Sequence, residues 1–187
     1  MTTKVAVVVG SLRKESVNRQ LAQALAKLAR PKLDLQIVEI ADLPLYDQDL
    51  EAELPAPVVR FKQQIEAADA ILFVTPEYNR SFTAALKNAV EWGSRPWGKN
   101  SWAGKPGAII GATIGTVGTA AAQSQLRSVV SVLGVGVMAQ PEVYLNFREG
   151  QIVDGEIAEE GLRTLLDDWV AKFADWTNRL KAPTLTF

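Results

Sequence analysis

Between Val5 and Val9 the chain carries an unbroken apolar run in which every residue but Ala6 is valine. Such a run predicts a strand covered on both faces, and it stops at Gly10-Ser11. From Ser16 the spacing changes. Val17, Leu21, Ala24, Leu25 and Leu28 recur at three and four, which predicts a helix that Pro31 ends. Leu35, Ile37, Val38 and Ile40 predict a second strand, followed by a polar, proline-containing passage over 42–57. Pro57 stands where a helix can begin, and Val58, Phe61, Ile65 and Ala68 give that helix an apolar stripe. Ala70–Val74 is a third buried strand running into Thr75-Pro76, after which Ser81 is expected to cap a helix whose apolar face is Phe82, Leu86, Ala89, Val90 and Gly93. Lys105-Pro106 introduces a fourth strand over Gly107–Ala112. A Gly/Thr loop and a helix through Leu126, Val129, Val130 and Leu133 come next. A short fifth strand is expected at Val135–Met138, and a last helix over about Ile157–Leu180, where Leu162, Leu165, Leu166, Trp169, Val170, Phe173 and Trp176 repeat at three and four.

Strands alternating with helices imply a parallel sheet with helices on both faces, and right-handed crossovers leave few topologies. The expected fold is α/β: a flavodoxin-like three-layer α/β/α sandwich with a five-stranded parallel sheet of order 2-1-3-4-5. The chain shows no internal repeat and no linker, so residues 1–187 are expected to form a single domain.

Composition narrows the chemistry. The chain has 187 residues, 48% of them hydrophobic, and 20 basic against 21 acidic side chains. Neither a nucleic-acid partner nor an anionic membrane surface is expected from so even a balance. There is no cysteine and no histidine. That removes thiol nucleophiles, iron–sulfur ligation, the Ser-His-Asp triad and histidine zinc sites, and no metal site is expected. Lys, Tyr, Asp and Glu remain as acid–base groups, and the expectation for an enzyme is that the chemistry belongs to a bound cofactor that the protein positions. The N-terminal run reads as a first strand and the weakly polar stretch 108–122 is too short to span a bilayer, so a cytoplasmic protein is expected.

In a sheet of this kind ligands sit beyond the carboxyl ends of the strands, where the strand order reverses. After the first strand comes Gly10-Ser11-Leu12-Arg13-Lys14-Glu15-Ser16-Val17-Asn18. Hydroxyls, an amide and a guanidinium just before a helix N-terminus suit a phosphate; a plain helix cap at Ser16 with a solvated Arg13 is the alternative. Pro76-Glu77-Tyr78-Asn79 follows the third strand and offers an amide and an aromatic face, or else an ordinary turn. Gly115-Thr116-Val117-Gly118 follows the fourth, where glycines allow close approach to a flat ligand.

Taken together, Gly10 to Asn18, Pro76 to Asn79 and the helix segment Leu86-Lys87-Asn88-Ala89-Val90-Glu91-Trp92 resemble the NADPH-dependent FMN reductases, which include bacterial quinone and chromate reductases. The resemblance runs from Val5 to about Glu142. It implies that Ser11, Arg13, Ser16, Val17 and Asn18 hold the FMN phosphate. Pro76, Glu77, Tyr78 and Asn79 would line the flavin ring, with Gly115, Thr116, Val117 and Gly118 as a third flavin loop. Two departures stand near the ring: Thr83-Ala84 where the family often has Pro-Gly, and Arg80 in place of a commoner aromatic or small residue.

The reaction so implied is ping-pong hydride transfer from NADH or NADPH through FMN to an acceptor: a quinone, and also free flavin, a ferric complex or chromate. Glu77 and Arg95 are the candidates for catalytic, substrate-side roles, with structural salt bridges as the alternative. Trp92, Trp97 and Trp102 wall the flavin pocket or mark a subunit interface, and the resemblance implies a homodimer or homotetramer; Trp169 and Trp176 read as packing. An electron-carrying flavodoxin or a non-enzymatic FMN-binding redox sensor would share the fold, whereas a phosphoacceptor domain would need acidic residues where Gly10-Ser11 and Thr75-Pro76 stand.

Overall fold

The computed structural model describes residues 2–181. The outer parts of the expected domain 1–187, residue 1 and residues 182–187, lie outside the described residues.

Five strands run parallel in the order β2 (Leu33–Val38), β1 (Thr3–Val9), β3 (Ala70–Val74), β4 (Pro106–Thr113) and β5 (Gly136–Val137). The expected order is therefore observed. β3 shows why the apolar runs are unbroken. Ile71 and Phe73 face one layer of helices while Leu72 and Val74 face the other, so period-two alternation buries both sets. On one face α1 (Val17–Leu28) and α5 (Glu160–Lys181) cover Val5, Val7 and Val9 with Leu21, Leu25, Trp169 and Phe173. On the other, α2 (Ala56–Glu66), α3 (Ala84–Ser94) and α4 (Ala120–Val132) bring Phe61, Trp92, Leu126 and Val130 against Ala6, Val8 and Phe73.

Three local details differ from the sequence expectation. The fifth strand is broken in two. Gly136–Val137 pairs with Pro106-Gly107, the chain leaves the sheet around Pro141, and β6 (Tyr144–Asn146) returns to pair with Gly111–Thr113. Proline has no N–H to give to β4, and the excursion is held instead by Arg127, Gln123 and Trp169, which donate to the carbonyls of Met138, Val143 and Pro141. Next, Ile152–Val153 (β7) and Glu156–Ile157 (β8) form a hairpin across Asp154-Gly155, both at positive φ. Ile157 is thereby buried in the hairpin, and α5 begins at Glu160. Finally, Thr83 and not Ser81 caps α3: the Thr83 Oγ1 accepts from the Leu86 N–H at 3.2 Å. Ser81 is committed elsewhere, in the turn described below.

Candidate functional site

The carboxyl ends of β1, β3 and β4 open on one cleft, and its floor is tightly joined. The Gly10 N–H donates to the Val74 carbonyl at 2.8 Å, and the Thr83 hydroxyl donates to the Gly10 carbonyl at 2.6 Å. At Gly111 an added Cβ would lie 2.1 Å from the Thr75 carbonyl oxygen, so only glycine lets β3 and β4 meet under the cleft.

The first loop brings Ser11, Arg13, Ser16, Val17 and Asn18 to this cleft. Ser11 and Ser16 are buried, and Ser16 caps α1 by accepting from the Arg19 N–H at 3.1 Å. Among the described residues the next two N–H groups, on Val17 and Asn18, have no acceptor. They stand at the positive end of α1, in the cleft that Ser11 also lines. Arg13 and Lys14 are exposed, Arg13 standing 3.9 Å from Glu15. Asn18 is 1% exposed and both ends of its amide are bonded to Ala112: Nδ2 donates to the carbonyl at 2.8 Å and Oδ1 accepts from the N–H at 2.9 Å.

In the second loop Pro76, Glu77 and Tyr78 line the cleft, whereas Asn79 stands beyond its lining. Tyr78 and Ser81 exchange backbone hydrogen bonds at 2.9 and 3.0 Å around Asn79 (φ 52°) and Arg80 (φ 64°), a two-residue turn with both centres left-handed. Gln125 of α4 fastens it, accepting from the Ser81 hydroxyl at 2.8 Å and donating to the Arg80 carbonyl at 2.6 Å. Glu77 is turned inward. Its side chain is 9% exposed, and Oε2 accepts from the N–H groups of Ala121 and Ala122 at 3.0 and 3.1 Å. It caps α4, whose N-cap Thr119 makes no side-chain cap bond, and Arg80 approaches it at 3.7 Å.

The third loop meets the cleft through Thr113 and Ile114; Gly115, Thr116 and Val117 extend past it as an exposed edge, while Gly118 is buried against the Tyr144 carbonyl. The Tyr144 hydroxyl donates to Glu142 at 2.6 Å, and that bond to a carboxylate holds the phenol pKa above its ordinary value. Ala112, Thr83, Gln125 and Tyr144 are the parts of this site that no motif announces; each acts on its partner over a long sequence separation.

Arg95 stands elsewhere. It follows the last turn of α3, about 16 Å along the helix from the end that touches Gly10. Its guanidinium lies 5.9 Å from the ring centres of both Tyr46 and Trp97. Trp92 and Trp102 are fully buried in the core and do not line the cleft; their indole N–H groups donate to the carbonyls of Pro44 and Val90. Trp97 is 87% exposed. Trp169 is buried and Trp176 half-buried on the inner side of α5, as packing residues.

These features fit FMN. A buried hydroxyl, two unused N–H groups and a nearby guanidinium at a helix N-terminus suit a phosphate monoester, and Pro76, Tyr78 and Ile114 offer apolar surface to a flat ring. The cleft holds about 200 Å³, below the ~300–1,000 Å³ of enclosed ligand sites, so it grips part of such a ligand and leaves the rest open. Among the described residues no group of His, Cys, Asp and Glu side chains could hold a metal ion.

A family model described as NADPH-dependent FMN reductase matches residues 3–150. A 2-hydroxy-1,4-benzoquinone reductase of Burkholderia sp. is 51% identical over 177 residues, covering 94% of this chain and 97% of that protein. A quinone reductase of Pseudomonas putida is 46% identical over 179 residues, covering 95% and 96%. Among solved structures, FerB from Paracoccus denitrificans, a flavoenzyme NAD(P)H:(acceptor) oxidoreductase, superposes with a TM-score of 0.92 at 42% identity over 95% of this chain and 98% of that one. The chain belongs to the NADPH-dependent FMN reductase family of flavodoxin-like oxidoreductases.

Proposed function

We propose that this protein is an FMN-dependent NAD(P)H:quinone oxidoreductase. The observation that carries the reading is the single cleft in which the buried hydroxyls and unused N–H groups at the start of α1 meet the apolar surfaces of Pro76, Tyr78 and Ile114. Bound FMN supplies the redox chemistry, taking a hydride from NADH or NADPH and giving two electrons to the acceptor in alternate, ping-pong half-reactions.

The chain's own part is to hold and orient. Ser11, Arg13 and the N–H groups of Val17 and Asn18 receive the phosphate, with Ser16 fixing the helix end they sit on. Pro76, Tyr78 and Asn79 flank one side of the ring, and Gly115 to Gly118 form the opposite edge. Backbone donors on that edge would stabilise negative charge on a bound, reduced ring. The openness of the cleft leaves one face for the nicotinamide and then the acceptor. Quinones head the acceptors because the relatives named above reduce them; free flavin, ferric complexes and chromate fall within the same chemistry.

A homodimer or homotetramer in the cytoplasm completes the reading. No helix among the described residues is long and apolar enough to cross a membrane. Trp97, beside Arg95, is 87% exposed, and Leu45, next in the chain to the Tyr46 that Arg95 also approaches, is 82% exposed, a surface suited to a second copy. Arg95 does not line its own cleft, so in this reading its catalytic role would be at a partner's cleft. Glu77, spent on α4, is a positioning residue in this reading. The test is the visible spectrum of the purified protein: a flavin band that bleaches on anaerobic addition of NADPH and returns on addition of benzoquinone supports the assignment. A colourless protein that takes up no FMN sinks it.

A further inference from the structure

Resting on the flavin reading above, we propose that Asn18 and Glu77 brace the third loop, 113–119, at its two ends, and that the Asn18 amide serves the ring through this brace and not the phosphate by contact. The β3–β4 ladder ends where the Thr75 N–H donates to the Ile110 carbonyl at 3.0 Å, because the next residue, Pro76, has no N–H. Ala112, two residues beyond Ile110, presents its N–H and carbonyl to that same side, where β3 has run out. Asn18 supplies both missing partners, at 2.9 and 2.8 Å, standing in for a strand residue.

At the loop's other end Glu77 holds the first turn of α4 through Ala121 and Ala122. Between these two fixtures two described side chains from outside the loop bond it: Asn146, through the carbonyls of Ile114 and Gly115, and Gln123, which donates to the Thr119 hydroxyl at 2.9 Å. Glu77 thus also fills the anion-binding end of α4 with the protein's own carboxylate, and the N-terminus of α1 is left as the helix end for the phosphate. Each brace starts on one flavin loop and ends on an element that flanks the third, so the three loops hold their relative positions before a ligand arrives.

FMN and riboflavin share the ring, and only FMN has the phosphate; their dissociation constants, read by quenching of flavin fluorescence, separate the two roles. In Asn18→Ala both constants rise by the same factor, about tenfold, and their ratio stays at the wild-type value. Arg13→Ala, as a control, raises the FMN constant alone. Selective weakening of FMN in Asn18→Ala, or no change in either ligand, overturns the proposal. A core variant far from the cleft, Ile65→Val, leaves both constants unchanged; if it moves them as Asn18→Ala does, the effect is general destabilisation and the brace is refuted. Should Asn18→Ala fail to fold, Glu77→Ala carries the test. It weakens both flavins equally and speeds amide exchange at Ala121 and Ala122, and unchanged affinities or exchange would refute it. Wild-type protein that binds neither flavin refutes the flavin reading itself, an outcome distinct from all of these.

Discussion

At the rim where the strands end, Asn79, Arg80 and Thr119 hold φ values of 52°, 64° and 71°, and the N–H groups that start α1 have no acceptor among the described residues. At the rim where the strands begin, packing is closed. Trp102 is fully buried against Phe61 and Phe73 at ring-centre distances of 5.8 and 5.5 Å, and Lys62 and Lys105 donate to the carbonyls of Lys99 and Ala68. Both rims belong to the same sheet and the same helices. The difference teaches that the ligand end keeps unspent donors and left-handed backbone, each a cost to folding, while the other end supplies the stability that lets them persist.

The largest expected effect tests the closed rim. Trp102→Ala removes a fully buried indole and costs about 3–5 kcal/mol, read as a fall in the urea midpoint. The folded fraction keeps wild-type flavin affinity, since the cleft is at the opposite rim. Lost affinity in molecules that remain folded would show that the rims are not independent. Glu77→Gln comes next, at the open rim. The amide oxygen still accepts from the start of α4 but without charge, so stability falls by about 1 kcal/mol and the turn around Arg80 loosens. Unaltered stability across the urea transition would show that the charge of this cap is immaterial.

A smaller effect lies beside the loop after β2. Asp42 accepts bonds from Arg60 at 2.7 and 2.9 Å, and that pairing, set against partial burial, holds its carboxyl below the ordinary 3.8. A carboxyl with a lowered folded pKa stabilises fully above its unfolded value. The contribution disappears as pH falls below about 4 and through the folded pKa. Both side chains are more than a third exposed, so solvent screening limits the gain to about 0.5 kcal/mol. Asp42→Asn should therefore lower the denaturation midpoint at neutral pH and match wild type near pH 2. A difference that survives in acid would point to packing instead of charge.

The same contrast explains what the sequence discloses. β3 is legible because Ala70–Val74 is apolar throughout and buried on both faces, and Ser16 as a cap because it directly precedes a strong helical stripe. Periodicity reports which faces are covered, and both rims share it. It does not report the direction of a polar side chain that closes a contact far along the chain. Glu77 reads as chemistry in the motif but is spent on residues more than forty positions away, and Asn18 on one more than ninety away. Ser81 and Thr83 are equally good caps by composition. The choice falls to Thr83 because the turn around Asn79 and Arg80 has already claimed Ser81. Of the broken fifth strand, the first piece falls within the expected Val135–Met138, while the second, Tyr144–Asn146, escapes notice because three residues are too few for alternation to register.

Arg80 gives the smallest expected effect and the sharpest one. It occupies the second central position of a turn whose backbone favours glycine, directly after Asn79, and Asn-Gly is the preferred pair there. Arg80→Gly relieves left-handed strain of about 1 kcal/mol and returns part of it as unfolded-state entropy, leaving a gain of about 0.5 kcal/mol. The thermal midpoint should rise slightly. The exposed guanidinium, 3.7 Å from Glu77, is lost in the same step, and the KM for NADPH should rise about threefold, the size of one screened ionic contact. Gain of stability with loss of co-substrate binding in one substitution would make Arg80 a residue kept for function against folding. A variant that is both more stable and kinetically unchanged would leave the strain at this turn without a purpose.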